Sequence, residues 1–115
     1  MCLAIYKPKG ESVAKTRLQT AFRRNPHGAG FAYVANNGKV KIQKGFFTFE
    51  DFYRAFLNVG GKKKAMLIHF RYATKGAKTK SNCHPFPLPN NQAMIHNGTI
   101  KRIICRDGGS DSSNF

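Results

Sequence analysis

The sequence contains few acidic residues, few cysteines and no long apolar run. Five Asp and Glu residues stand against twenty Lys and Arg residues, so the 115-residue chain has a formal net charge of +15. No apolar run approaches the roughly 20 residues that a membrane helix needs, and the N-terminus lacks the charged, apolar and small-residue regions of a secretion signal. We therefore expect a soluble, cytoplasmic protein that does not enter a membrane.

The cysteine content argues against a disulfide scaffold and against a metal site. Cys2, Cys83 and Cys105 are an odd number of cysteines in a chain without an export signal, which favours reduced thiols. They form no C-x-x-C pair, and neighbouring side chains such as Cys83 and His84 face opposite ways on an extended chain. We expect neither a bound metal nor a cofactor.

Length and hydrophobic content predict one folded domain. A chain of 115 residues can bury one core, and a hydrophobic fraction of 41% argues against disorder. The positive charge attracts polyanions whether or not such binding is the function, and we interpret the lysines at 62–64 and 75–80 as solvated surface. A small basic nucleic-acid-binding protein remains an alternative, although the sequence has no aromatic-rich RNA-binding signature and no helix with one basic face.

The first half of the chain predicts alternating strands and helices. "CLAIY" predicts a strand, and residues 12–24 predict an amphipathic helix that stops before Pro26. Residues 30–45 carry β-formers on both sides of Asn-Asn-Gly, which predicts a hairpin. Thr48 caps a second helix whose phenylalanines recur at helical spacing, so we interpret them as core and not as a base-stacking platform.

The second half is less regular. Residues 65–74, "AMLIHFRYAT", predict a buried strand, and a loop rich in Pro, Asn and Lys spans about 75–91. "AMIHNGTI" at 93–100 predicts another strand. The ending "SDSSNF" is typical of a helix start, with no helix attached.

Four short polar or glycine-containing segments lie at the ends of these predicted strands. Each has an ordinary explanation on its own: Asn-Gly is usually a turn, a histidine before proline is usually a loop residue, and an arginine at a strand end usually forms a surface ion pair. A cysteine near the N-terminus is usually a small apolar residue that begins a strand. The segments are "NPHGAG" at 25–30, "RYATKG" at 71–76, "CHPF" at 83–86 and "HNG" at 96–98.

Taken together, in this order and after a cysteine at position 2, the segments resemble the glutaminase domain of class II glutamine amidotransferases, which are N-terminal-nucleophile (Ntn) hydrolases. The resemblance runs from Cys2 to about Asp111. It implies an α+β fold, the αββα sandwich of Ntn hydrolases. We expect residues 1–115 to form a single glutaminase domain. Since such domains continue well beyond the position of Asp111, we expect this one to be incomplete at its C-terminal end. It would then be a fragment, a truncated gene product or one protein of a split pair.

The resemblance implies the catalytic residues. Hydrolysis of a carboxamide needs a nucleophile, a base and donors for the oxyanion. Once Met1 is removed, the Cys2 thiol can attack while its own α-amine, with a pKa of about 7.7–8.0, carries the proton. The oxyanion hole maps onto the side chain of Asn97 and the backbone N–H of Gly98.

The resemblance also implies the residues that bind L-glutamine. Arg71 offers a fork of donors to the α-carboxylate, with Tyr72, Thr74 and His84 beside it. Asp111 stands where the family has its ammonium-binding aspartate. Tyr72 replaces the tryptophan often seen in this motif, and His27 replaces an acid, which leaves open how the loop beside the nucleophile is hydrogen bonded.

These assignments predict an enzyme that hydrolyses L-glutamine to glutamate and ammonia through a Cys2 thioester. The ammonia acceptor is expected on a separate synthase subunit or on a missing C-terminal segment. An inactive amidotransferase-like scaffold is a further alternative, because the chain stops four residues after Asp111.

Overall fold

The computed structural model describes residues 2–73, 83–97, 101–106 and 112–114, with side chains for 2–73 and 83–95. These residues form an α+β arrangement of two helices and antiparallel strands. No helix in the described part of the chain is long and apolar enough to cross a membrane. The elements are β1 (Leu3–Lys7), α1 (Lys15–Arg24), β2 (Ala29–Val34), β3 (Val40–Phe46), α2 (Phe49–Asn58), β4 (Met66–Phe70), β5 (Phe86–Leu88), β6 (Gln92–Asn97), β7 (Lys101–Arg106) and β8 (Ser112–Asn114).

The strands form two antiparallel four-stranded sheets, with the orders β1-β4-β2-β3 and β5-β6-β7-β8. In the first sheet β4 lies between β1 and β2, so that Ile68 is opposite both Ile5 and Phe31. Every residue of β4 is buried. A strand covered on both faces carries a nearly continuous apolar sequence. The buried strand predicted over residues 65–74 is therefore confirmed for Met66–Phe70, while residues 71–73 lie beyond its end.

The first sheet has a core on each of its faces because side chains alternate along a strand. One face packs under the helices, where Phe31 and Phe70 meet Phe52, whose ring centroid lies 5.1 Å from that of Phe70. The other face packs Leu67 against Ile95 of the second sheet. The described residues therefore form three layers: helices, first sheet and second sheet. A second helical layer, which an αββα sandwich requires, has no member among them.

Both predicted helices are present. α1 buries Leu18, Ala21 and Phe22, as the apolar spacing indicates, although it begins at Lys15 and not at residue 12. In α2 the Oγ1 of Thr48 accepts a hydrogen bond from the backbone N–H of Asp51 at 3.2 Å. The phenylalanines of α2 are core residues, as predicted, because Phe52 and Phe56 are 0% and 1% exposed.

The prediction of a continuous loop over 75–91 was wrong at its end, where Phe86–Leu88 forms β5 opposite β6. Pro87 is tolerated because β5 is an edge strand, which needs fewer backbone donors. The predicted helix start in "SDSSNF" was also wrong, because Ser112–Asn114 pairs with β7. Long-range strand pairing overrides the local capping signal in this segment.

Candidate active site

Cys2 lies directly before β1 and is partly buried. Because β1 is antiparallel to β4 and places Leu3 opposite Phe70, the chain before β1 runs beside the chain after β4. The backbone N–H of Tyr72 lies 3.3 Å from the Sγ of Cys2, and the carbonyl oxygen of Tyr72 lies 3.6 Å from it. The strand register thus brings the candidate nucleophile to the "RYATKG" segment.

The "NPHGAG" segment is hydrogen bonded to the same stretch of chain, the residues that follow β4. Arg71 donates its backbone N–H to the carbonyl of Gly28, and His27 donates its backbone N–H to the carbonyl of Arg71, both at 2.9 Å. The Nδ1 of His27 accepts a hydrogen bond from the backbone N–H of Ala73 at 2.8 Å. Its ring centroid lies 4.8 Å from that of Tyr72. These contacts answer the question left by the missing acid, since the imidazole itself takes part in the hydrogen bonding.

Two glycines of this segment allow residues 83–84 to lie against β2. A Cβ added at Gly28 would collide with the Sγ of Cys83, and one added at Gly30 would collide with the carbonyl oxygen of His84. Gly28 also has a φ of 132°, a conformation that other residues rarely adopt. Because these two glycines have no side chain, the "NPHGAG" and "CHPF" segments can pack against each other.

The His84 ring is packed between aromatic neighbours. Its centroid lies 4.0 Å from that of His69 and 4.5 Å from that of Phe86. His69 is fully buried in β4, on the same face of the strand as Leu67. The substrate-binding role of His84 stays a prediction.

Arg71 and Cys83 form the buried part of the site. Arg71 is only 8% exposed, and the Cys83 side chain is fully buried. Burial raises the pKa of the Cys83 thiol, while a backbone hydrogen bond with Gly45 and the positive charges of Arg71 and Lys44 act in the opposite direction. A protonated, inaccessible thiol is a poor nucleophile, which leaves Cys2 as the more accessible of the two thiols.

Cys2 also opens onto a groove of about 580 Å³ between the start of β1 and α1. This volume falls within the range of small-molecule sites. Its charged side chains belong to Arg17 and Arg24, which would attract an anionic group. The remaining lining residues are Leu3, Thr16, Thr20, Ala21 and Asn25.

Four of the predicted site residues therefore have described side chains: Cys2, Arg71, Tyr72 and His84. Tyr72 is 42% exposed beside the sulfur. Asn97 ends β6, with its backbone opposite Lys101, but its side chain is outside the described set. Thr74, Gly98 and Asp111 also lie outside the described residues. The oxyanion hole and the ammonium-binding site remain predictions.

The sequence reading noted His27 only as a departure from a motif and missed its contacts. No periodicity or spacing signals a hydrogen bond between residues 46 positions apart. Within the described part of the chain, no group of three or more His, Cys, Asp or Glu residues is arranged so that it could hold a metal ion.

Comparison with known proteins gives two partial similarities. The chain is 34% identical over 83 residues to the glutamine--fructose-6-phosphate aminotransferase [isomerizing] of Wigglesworthia glossinidia brevipalpis, and 30% identical over 78 residues to the protein of the same name from Pseudomonas putida. Each alignment covers 68% of this chain but only 13% of the relative. No family model matches the sequence. The two similarities support a relationship between this chain and the glutamine amidotransferases.

Proposed function

We propose that this chain is a class II glutaminase domain of the Ntn-hydrolase type, which converts L-glutamine to glutamate and ammonia. The observation that carries the proposal is the contact between the Sγ of Cys2 and the backbone of Tyr72, which joins the cysteine at position 2 to the segment that contains Arg71. The names of the two similar proteins state that they use glutamine, in agreement with this choice of substrate.

In the proposed mechanism the Cys2 sulfur attacks the carbonyl carbon of the side-chain amide, after removal of Met1. The α-amine of Cys2 accepts the thiol proton and returns it to the amide nitrogen, so that ammonia leaves and a γ-glutamyl thioester remains. Water then cleaves the thioester, releases glutamate and restores the thiol. The side chain of Asn97 and the N–H of Gly98 donate to the oxyanion in both steps.

Arg71 is the proposed partner of the substrate α-carboxylate. Its burial limits the positions that the guanidinium can adopt, which suits bidentate recognition of a planar anion. Tyr72, Thr74 and His84 complete this side of the pocket in the proposal, and Asp111 holds the ammonium group.

The complete αββα sandwich and the single-domain organisation over residues 1–115 belong to the proposal as well. The chain spans 13% of the length of the relatives that it matches. We therefore assign no acceptor from their names and propose only that ammonia passes to a site outside the matched region.

The test is ammonia release from L-glutamine by purified protein whose N-terminus has been defined by mass spectrometry. We expect release by the wild type, loss of release in Cys2→Ala, and a decrease of orders of magnitude in Cys2→Ser, because a hydroxyl is harder to deprotonate than a thiol. Cys83→Ala is the matched control and should keep most of the activity. Equal ammonia release by the wild type and by folded Cys2→Ala would refute the proposal.

A further inference from the structure

His27 lies where three separate parts of the chain meet: the end of α1, the segment after β4 and the start of β1. Its backbone is hydrogen bonded to Arg71, its Nδ1 to Ala73, and its ring packs on Tyr72. Tyr72 in turn contacts the sulfur of Cys2 through its backbone N–H. His27 thus contacts both neighbours of Tyr72, Arg71 through its backbone N–H and Ala73 through its ring nitrogen.

The contact with Ala73 defines the protonation state of the ring. A backbone N–H can only donate, so the Nδ1 of His27 must carry a lone pair and the imidazole must be neutral. Protonation would turn Nδ1 into a second donor directed at the N–H of Ala73, and the 2.8 Å hydrogen bond could not persist. An ordinary imidazole makes this change near pH 6.5.

We propose that His27 is a positioning residue for Cys2: its neutral ring holds the backbone of residues 72–73 so that the N–H of Tyr72 points at the sulfur. This N–H is a hydrogen-bond donor aimed at the sulfur, where negative charge develops when the thiol is activated, while the Tyr72 carbonyl at 3.6 Å can accept from the thiol. When His27 is protonated, residues 72–73 lose this support, and the reactivity of Cys2 falls. For catalysis the inference rests on the proposed function, but the chemistry of the thiol can be measured without it.

Other charged or titratable groups lie on the segments that pack around residue 27. They are Arg24 on α1, Cys2 before β1, His69 on β4, Arg71 and Tyr72 after β4, and Cys83 and His84 on the segment that lies against Gly28 and Gly30. Substitution at position 27 itself distinguishes its titration from theirs. The acids with described side chains lie elsewhere, at Glu11, Glu50 and Asp51.

The experiment measures the rate at which iodoacetamide alkylates Cys2, quantified on the N-terminal peptide by mass spectrometry between pH 5 and 8. The variants are His27→Asn, whose amide oxygen can take the place of Nδ1, His27→Asp, whose carboxylate accepts down to about pH 4, and His27→Ala, which has no acceptor. Circular dichroism verifies that each variant is folded.

At pH 7.5 we expect the Asn and Asp variants to react within about twofold of the wild type and His27→Ala to react about fivefold more slowly, the effect of one lost hydrogen bond. Toward pH 5.5 the wild type should slow by about fivefold relative to His27→Asp, because only the imidazole loses its acceptor. A ratio of wild type to His27→Asp that is constant from pH 5 to 8 would overturn the inference, as would a folded His27→Ala protein with the wild-type rate. If the ratio changes as expected but no variant releases ammonia, the proposed function fails and the role of His27 stands.

Discussion

The sulfur of Cys2 lies 3.3 Å from the backbone nitrogen of Tyr72, a residue 70 positions later in the sequence. The contact follows from the register of the first sheet, in which the residue after Cys2 is opposite Phe70. Since β4 is an interior strand of this sheet and all of its residues are buried, the position of the sulfur depends on a well-protected strand. The partly buried candidate nucleophile is thereby attached to a rigid support.

The close approach of Gly28 to Cys83 predicts a large cost for any side chain at position 28. Gly28→Ala should lower the free energy of unfolding, measured by urea titration, both through its positive φ and through the collision with the Cys83 sulfur. Gly10→Ala is the matched control, because Gly10 also has a positive φ, of 85°, but has nothing within 4 Å of the added Cβ. We expect Gly28→Ala to cost about 1–3 kcal/mol more than Gly10→Ala, the usual penalty for overpacking. Equal costs would show that residues 83–84 do not lie against Gly28.

The raised pKa of Cys83 predicts a loss of stability at alkaline pH. Burial raises the pKa of this thiol in the native state, so the unfolded chain loses the proton first, near pH 8.5. Below that pH the contribution of Cys83 to stability is fully present. Above it the unfolded state binds fewer protons than the native state, and the free energy of unfolding falls as pH rises until the native thiol also ionises.

Urea titrations at pH 7.5 and 9.5 measure this effect. The free energy of unfolding of the wild type should fall more between the two pH values than that of Cys83→Ala. The other titrating groups are the same in both proteins, so the difference between the two losses is due to Cys83. The same alkaline loss in the two proteins would contradict a buried, protonated Cys83.

Local signals in the sequence were sufficient for the helices and the hairpin. Gly38 adopts a φ of 81° in the Asn-Asn-Gly turn, where its N–H donates to the carbonyl of Ala35 at 2.9 Å, and Thr48 caps α2 as expected. In each case the residues that determine the structure are close together in the chain. Local propensity and hydrophobic periodicity are therefore enough to predict these elements.

The sequence could not reveal features that depend on distant pairing. The strands β5 and β8 contain few local strand signals and exist because neighbouring strands supply hydrogen-bond partners, whereas β7 was missed although Ile103 and Ile104 favour a strand. The motifs indicated that Cys2, Arg71 and His84 should belong to one site, but the contact between His27 and Ala73 depends on the register of β2 and β4. Local pattern does not encode that register.

Substitution of Arg71 should impair the hydrolysis of glutamine much more than the hydrolysis of simple carboxamides. Arg71→Lys keeps the charge but loses the fork of donors, and Arg71→Met removes the charge while roughly keeping the volume. If Arg71 binds the α-carboxylate, both variants should raise the KM for glutamine, the second more strongly, with little change toward a carboxamide that lacks α-substituents. Asp111→Ala should likewise raise the KM for glutamine and leave the simple carboxamide little changed, because only glutamine has the α-ammonium group that Asp111 is proposed to bind. Proportional losses on both substrates would remove these residues from substrate recognition.

The lysines at 62–64 should bind polyanions without taking part in catalysis. β4 begins at Met66 and reaches the candidate site only at its other end, so these lysines lie at the opposite end of the first sheet. Replacing all three by Gln should weaken nucleic-acid binding and leave ammonia release unchanged. Binding by the wild type should be independent of nucleic-acid sequence and should collapse between about 50 and 200 mM salt. Sequence-selective binding that survives the higher salt would favour the alternative of a dedicated nucleic-acid-binding protein.

Removal of Met1 should be a condition for activity. A retained methionine would convert the Cys2 amine into an amide nitrogen without a basic lone pair, and no base would then accept the thiol proton within the same residue. The mass of active protein should therefore correspond to a chain that starts at Cys2. A variant in which Ala precedes Cys2 and cannot be removed should have no turnover, although its thiol should still react with iodoacetamide. Diazo-oxo-norleucine, a glutamine-like electrophile, should label Cys2 in the processed protein and leave the buried Cys83 unlabelled. Full ammonia release by protein whose every chain retains Met1 would show that the base lies elsewhere.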